Sequence, residues 1–311
     1  MGRPAPIALG IAILCALTSC VSWQADRLPQ GWERFPRRVE LTAVPFYPQD
    51  DHHCGPAALA TVLSWTGDPL DPEDLELQTY TPVRRGSFQA ELVTAARRRG
   101  RLAYPVEGIE SLLTELTAGN PVIVLQNLGL SWYPAWHYAV AVGFDLAVGR
   151  IILRSGRDPR KVMHFRVFER TWARSGSWGL VLLEPGELPA TAEEVRYLEA
   201  AVGLERARQW HAAARAYEAA LERWEGSLVA LMGLGNSRHA DRDLPGAEKA
   251  FRRATQRYPD AAAAFNNLAQ VLAEEGRLPA ALTAAERAVA LGGPHAAAFA
   301  ETLEKIRAQV R

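Results

Sequence analysis

Three residues of this chain could carry covalent chemistry by type and placement: Gln49, Cys54 shortly after it, and His137 well downstream. Cys54 opens a helix-forming run, where a thiol meets unpaired backbone N–H groups and the positive end of the helix dipole. Both favour thiolate over thiol. A histidine on a neighbouring strand can hold that thiolate as an ion pair and later hand its proton to a leaving group. The Gln49 amide, with the Cys54 backbone N–H, can donate to the oxyanion of a tetrahedral intermediate, where one donor is worth about 10²–10³ in rate. Taken singly, Cys54 reads equally well as a small buried apolar residue and His137 as a satisfied core histidine, and Gln49 alone says little. His52, His53, Asp50 and Asp51 are metal-ligand types, but adjacent side chains in a turn seldom converge on one ion, so they read as a cap or solvated loop and no metal is expected. Trp132, Tyr133 and Trp136 either line a substrate cleft or belong to the core. No phosphate-binding glycine loop, serine-centred elbow or basic stripe stands out, so neither a cofactor nor a nucleic-acid partner is expected.

The elements that must position these residues follow from periodicity. The stretch 54–65 is apolar nearly all round, has Pro56 in its first turn and stops at Gly67, which predicts a buried helix. A second helix is expected from Ser87, as its cap, to Arg99, ended by Gly100, and a third over 109–118. Strands are expected at 121–126, 137–144, 150–154, 162–167 and 179–183, spaced closely enough for an antiparallel sheet. The class is α+β. The 35 Lys+Arg balance 35 Asp+Glu, so no net field draws in nucleic acid or an anionic membrane, and 48% hydrophobic content excludes a disordered chain. The three cysteines, at 15, 20 and 54, make neither a disulfide framework nor a CxxC metal pair.

The local text around the candidates is Val44-Pro45-Phe46-Tyr47-Pro48-Gln49, then Cys54-Gly55-Pro56-Ala57-Ala58-Leu59, and later Trp136-His137-Tyr138-Ala139-Val140-Ala141-Val142-Gly143-Phe144-Asp145. It resembles the bacteriocin-processing, double-glycine leader peptidases and their relatives, a papain-like cysteine peptidase group, over about residues 41–183. The resemblance implies a papain-like fold, with the Cys54 helix packed on an antiparallel sheet that carries His137. It implies Cys54 as nucleophile, His137 as general base and acid, and Gln49 as oxyanion donor. In that family an Asp, often followed by Pro, orients the histidine from the next strand. Here strand counting puts that place near Ser155, which offers no charge, while Asp158-Pro159 keeps the dipeptide three residues late. Both Ser155 and Asp158 are candidates.

Beyond Glu184-Pro185-Gly186 and Pro189 the texture turns helical and repeats every 34 residues. Tyr197, Ala201, Arg208, Ala213, Tyr217 and Ala220 recur as Leu231, Gly235, Arg242, Ala247, Phe251 and Ala254. They recur again as Phe265, Ala269, Gly276, Ala281, Ala285 and Ala288, where Ala285 replaces the aromatic. This resembles the tetratricopeptide repeat: three copies over 194–295, a capping helix to Arg311, and a concave surface that in the family holds peptides or protein segments. Residues 191–311 are thus expected to be an all-α solenoid that engages a protein partner.

At the other end, Arg3 and an apolar run from Ile7 to Leu17 are too short for a membrane span and fit a signal peptide over residues 1–19. The ending Leu17-Thr18-Ser19-Cys20 resembles a bacterial lipobox, which implies diacylglycerol on Cys20 and a further acyl chain on its amine. Several chains together anchor stably. Val21 stands where an Asp would signal inner-membrane retention, so the periplasmic face of the outer membrane is the expected location, with residues 20–40 as a tether. With Cys15 removed and Cys20 lipidated, the mature chain keeps one thiol, Cys54.

The expected function is a lipid-anchored envelope cysteine peptidase that cleaves a peptide or protein bond through a Cys54 thioester, its domain spanning 41–186. The rival is a non-catalytic lipoprotein adaptor with a degenerate site. An active site predicts alkylation of Cys54 well below the ordinary thiol pKa of about 8.5, dependent on His137.

Overall fold

The computed structural model describes residues 31–48, 53–84 and 86–310. The expected signal peptide over residues 1–19, Cys20 and Gln49 lie outside the described residues. No described helix is long and apolar enough to cross a membrane.

The N-terminal half is one open antiparallel sheet with helices on both faces. Its strands are β1 (Arg38–Glu40), β2 (Leu102–Glu107), β3 (Val122–Asn127), β4 (Trp136–Asp145), β5 (Arg150–Ser155), β6 (Asp158–His164) and β7 (Trp178–Leu183). They run in the order β2-β7-β3-β4-β5-β6, and β1 pairs with the far end of β4, Arg38 opposite Asp145. Helices α1 (Cys54–Trp65), α2 (Pro72–Thr79), α3 (Gln89–Arg98), α4 (Ile109–Thr117) and α5 (Phe165–Ala173) complete this half. Strand alternation sorts β4 cleanly. Tyr138, Val140 and Val142 enter the cluster beneath α1 with Leu59, Val62 and Leu63. Ala139 and Ala141 enter the opposite cluster with Leu113, Phe168 and Trp172.

Helix α1 follows the expectation, and its Gly55 has a steric reason: a Cβ there would come 2.7 Å from the Ser87 Cβ. Ser87 does not cap α3. The helix begins at Gln89 after Phe88, whose N–H goes to Glu91 Oε2 at 2.7 Å. The expected strand over 162–167 is also corrected. The strand is Asp158–His164, and the chain turns into α5 at Phe165, because Phe165, Phe168 and Trp172 fall on one helical face that the core covers. Strand β2 contains Pro105, which an edge position tolerates.

The C-terminal half is a run of helices: α6 (Glu194–Arg206), α7 (Trp210–Arg223), α8 (Leu228–Ala240), α9 (Leu244–Arg257), α10 (Ala262–Glu274), α11 (Leu278–Leu291) and α12 (Ala296–Val310). Small residues stand where helices close in. A Cβ on Gly233 would run into the Tyr217 ring and one on Gly235 into Phe251. The turns within the pairs reach left-handed backbone at Arg208, Arg242 and Gly276, one per repeat.

The two halves share one continuous buried cluster, from Leu102 and Tyr104 through Tyr197 and Tyr217. A buried carboxylate fixes the junction. Glu115, on α4 and fully buried, accepts from the Thr191 N–H (2.7 Å) and hydroxyl (2.5 Å), the Ala190 N–H (3.2 Å) and Asn120 Nδ2 (2.7 Å). The Tyr104 hydroxyl donates to the Thr191 carbonyl at 2.9 Å and accepts the Glu193 N–H at 3.3 Å.

Candidate active site

Cys54 is the first residue of α1, a partly buried free thiol. Its Sγ accepts the backbone N–H of Tyr138 at 3.4 Å, so α1 meets β4 one residue from His137. The Tyr138 hydroxyl donates to the Ser87 carbonyl at 3.2 Å and ties the start of α3 to the same place. His137 Nε2 lies 2.8 Å from Ser155 Oγ, at the end of the neighbouring strand β5. Thus α1 brings Cys54 to the β4 backbone beside His137, and β5 brings Ser155 to the His137 ring. Asp158 does not join them. It faces Ser155 across the β5–β6 turn, is exposed, and its Oδ1 accepts the Arg160 backbone N–H at 2.8 Å.

The electrostatics differ from those expected of a helix N-terminus alone. Burial pushes the Cys54 thiol up from its ordinary value, and this outweighs the N–H groups of Tyr138, Cys54 and Gly55, which favour the thiolate. Burial, and then the positive charge of Lys161, pulls His137 down to about 4. Ser155 supplies a hydrogen bond but no charge to oppose either effect. Both shifts favour a neutral thiol and a neutral imidazole over an ion pair.

Two neighbours went unnoticed in the sequence. Arg154 is almost fully buried and donates to the Val44 carbonyl (3.0 Å from Nη2), the Thr42 carbonyl (3.1 Å) and the Pro159 carbonyl (2.5 Å). It clamps the segment that leads to Gln49. Gln126 sits directly across from His137 on β3, buried, with Nε2 donating to Thr171 Oγ1 at 2.6 Å. The only sequence signal for either was a polar residue at a core position of a strand. His53 pairs with Glu76 at 3.1 Å and packs edge-on to Tyr80. Among the described residues no cluster of three or more His, Cys, Asp or Glu side chains could hold a metal ion. Trp132, Tyr133 and Trp136 are exposed, which removes the core reading for them.

Residues 41–179 match the Peptidase_C39 like family, and residues 198–254 and 233–298 match the tetratricopeptide repeat. No curated protein sequence matches the chain. Among solved structures, a Bacillus anthracis protein described as a C39-like peptidase is similar at 20% identity and TM-score 0.43, over 48% of this chain and 98% of that one. The Yersinia enterocolitica type III secretion chaperone SycD, in complex with a peptide of the translocator YopD, is similar at 16% identity and TM-score 0.36, over 39% and 98%. The TPR2B domain of yeast Sti1 is similar at 16% identity and TM-score 0.35, over 36% and 98%.

Proposed function

Because the chain joins a C39-like peptidase domain to tetratricopeptide repeats, we propose that it is an envelope lipoprotein cysteine peptidase whose repeats bind a substrate or a protein partner. The proposed organisation is a signal peptide over 1–19, a tether over 20–40, the peptidase domain over 41–186 and the repeats over 191–311. The observation that carries the peptidase reading is the meeting of α1 and β4: Cys54 Sγ against the Tyr138 N–H, with His137 beside it held by Ser155.

Ser155 engages Nε2, so Nδ1 is the nitrogen left to exchange a proton with the thiol. In the proposed reaction His137 takes the Cys54 proton as sulfur attacks the substrate carbonyl carbon, and the oxyanion is met by the Cys54 N–H and the Gln49 amide. The imidazolium then protonates the leaving amine as the C–N bond breaks, leaving a thioester. Water, deprotonated by His137, hydrolyses it to a carboxylic acid and the free thiol. Burial of both groups favours a proton transfer that accompanies substrate attack over one that precedes it.

The test is the full chain incubated with a peptide mixture, quenched in acid and read by mass spectrometry. A thioester adduct on Cys54, with cleavage products that vanish in Cys54→Ala, supports the reading. Cleavage that survives Cys54→Ala sinks it. One observation favours the adaptor reading instead: Ser155 gives the imidazolium no counter-charge. Absence of any adduct or product from the wild type, with binding by the repeats retained, would select the adaptor. The proposed anchor rests on the sequence around Cys20, and incorporation of labelled palmitate that is lost in Cys20→Ser supports it.

A further inference from the structure

The β3–β4 connection, residues 128–135, is fixed from within and apolar without. Asn127, 2% exposed, accepts the N–H groups of Gly129 and Ala135, each at 3.0 Å, and its Nδ2 donates to the Leu130 carbonyl at 3.3 Å. The Arg174 guanidinium, itself exposed, donates to the Gly129 carbonyl at 2.5 Å and the Asn127 carbonyl at 3.4 Å. Leu130 and Tyr133 exchange backbone hydrogen bonds, and a Cβ on Gly129 would run into the Tyr133 carbonyl. On this frame Leu128, Leu130, Trp132, Tyr133 and Trp136 are exposed by 45, 52, 79, 73 and 54%. No residue from 128 to 136 is charged. A loop held this firmly keeps its outward side chains in place, so the apolar surface is pre-organised for an occupant.

Its place argues what that occupant is. The loop leads into Trp136, the residue before His137, and the N–H of the residue after it, Tyr138, meets Cys54 Sγ. His137, between them, must protonate the amine that leaves, so the departing segment of a substrate lies on the histidine's side of the thiol, beside this loop. A bilayer is the other apolar surface such a loop could meet.

We propose that this loop is a specificity subsite for a large apolar side chain within the first residues C-terminal to the cleaved bond. The proposal rests on the peptidase reading and adds a substrate class to it.

Two measurements on the full chain in phospholipid vesicles test it. Phe-Leu amide, a mimic of the departing segment, should slow iodoacetamide labelling of Cys54 about tenfold where Gly-Gly amide does not, the scale on which an apolar pocket discriminates. Trp136→Ala should abolish that protection. Cut sites mapped in a peptide mixture should be enriched in Phe, Leu or Trp on their C-terminal side, and Trp132→Ala and Trp136→Ala should flatten the enrichment. Equal protection by both amides, or enrichment on the N-terminal side only, overturns the subsite. So does quenching by brominated lipid that falls when Trp132 and Trp136 are both changed to Phe, since that places the loop in the bilayer. Selective protection without any cleavage leaves the apolar pocket standing while overturning both its assignment to a leaving segment and the peptidase reading.

Discussion

Ser155 Oγ lies 2.8 Å from His137 Nε2, with Ser155 only 2% exposed, so a neutral hydroxyl holds the ring where an acidic side chain would charge it. Ser155→Asp should therefore raise His137 from about 4 by about 1–3 pKa units, because an adjacent anion favours the imidazolium. The thiolate gains the same partner. Iodoacetamide labelling of Cys54 should then rise at least several-fold over the wild type between pH 5 and 7. An unchanged labelling profile in Ser155→Asp would refute this account of the site's electrostatics.

Acid should destabilise the protein in a window set by His137. Its pKa falls from 6.5 unfolded to about 4 folded, so the folded state binds fewer protons between those values. The stability tied to neutral His137 is complete above pH 6.5 and is lost as pH falls from 6.5 towards 4, a total of about 3 kcal/mol. Thermal unfolding measured from pH 7.5 to 4 should show that slope, and His137→Phe should flatten it. Below pH 4.5 a second loss begins, as Glu40, lowered to about 2 mainly by the Arg160 hydrogen bond, takes up its proton.

Glu115→Ala removes the acceptor of four hydrogen bonds and strands the Thr191 and Ala190 N–H groups. The expected cost is about 3 kcal/mol, read by urea denaturation. Limited proteolysis should cut between residues 186 and 193 faster than in the wild type. Unchanged cleavage there would mean the carboxylate is not what holds the junction.

Gly235→Ala places a methyl group against the Phe251 ring and should cost about 1–3 kcal/mol. Phe251→Leu in the same chain should recover part of that loss, so the two changes together should cost less than the sum of each alone. Additive costs would show that Gly235 serves its own helix backbone instead.

Much of the fold could be read from the residues because local signals agreed with tertiary demands. The run 54–65 was helical on composition and is buried on all sides, and the 34-residue period reappears as helix starts at Glu194, Leu228, Ala262 and Ala296. The first turn of α5 was misread as strand because Val162 and Val167 bracket residues 163–166, and β-branched content outweighed the Phe165, Phe168, Trp172 spacing. Ser155 and Asp158 could not be separated from sequence. The turn between β5 and β6 falls between them, so Ser155 ends the strand beside β4 while Asp158 starts the strand beyond it, and no local residue type announces where that turn falls. The resting charge state was not legible either, since it depends on how deeply Cys54 and His137 are buried and on Lys161, which arrives from β6.

The seam between the halves bears on how such chains can be recombined. Tyr104 and Glu115 on the sheet side grip Thr191, and α6 lies against the edge strand β2 with Tyr197 in the shared core. A graft that kept only the sheet half would strip a cover from that edge, and one that kept only the helices would lose the floor beneath their first pair. Residues 186–206 therefore serve both halves at once: α6 covers the β2 edge and opens the helical run.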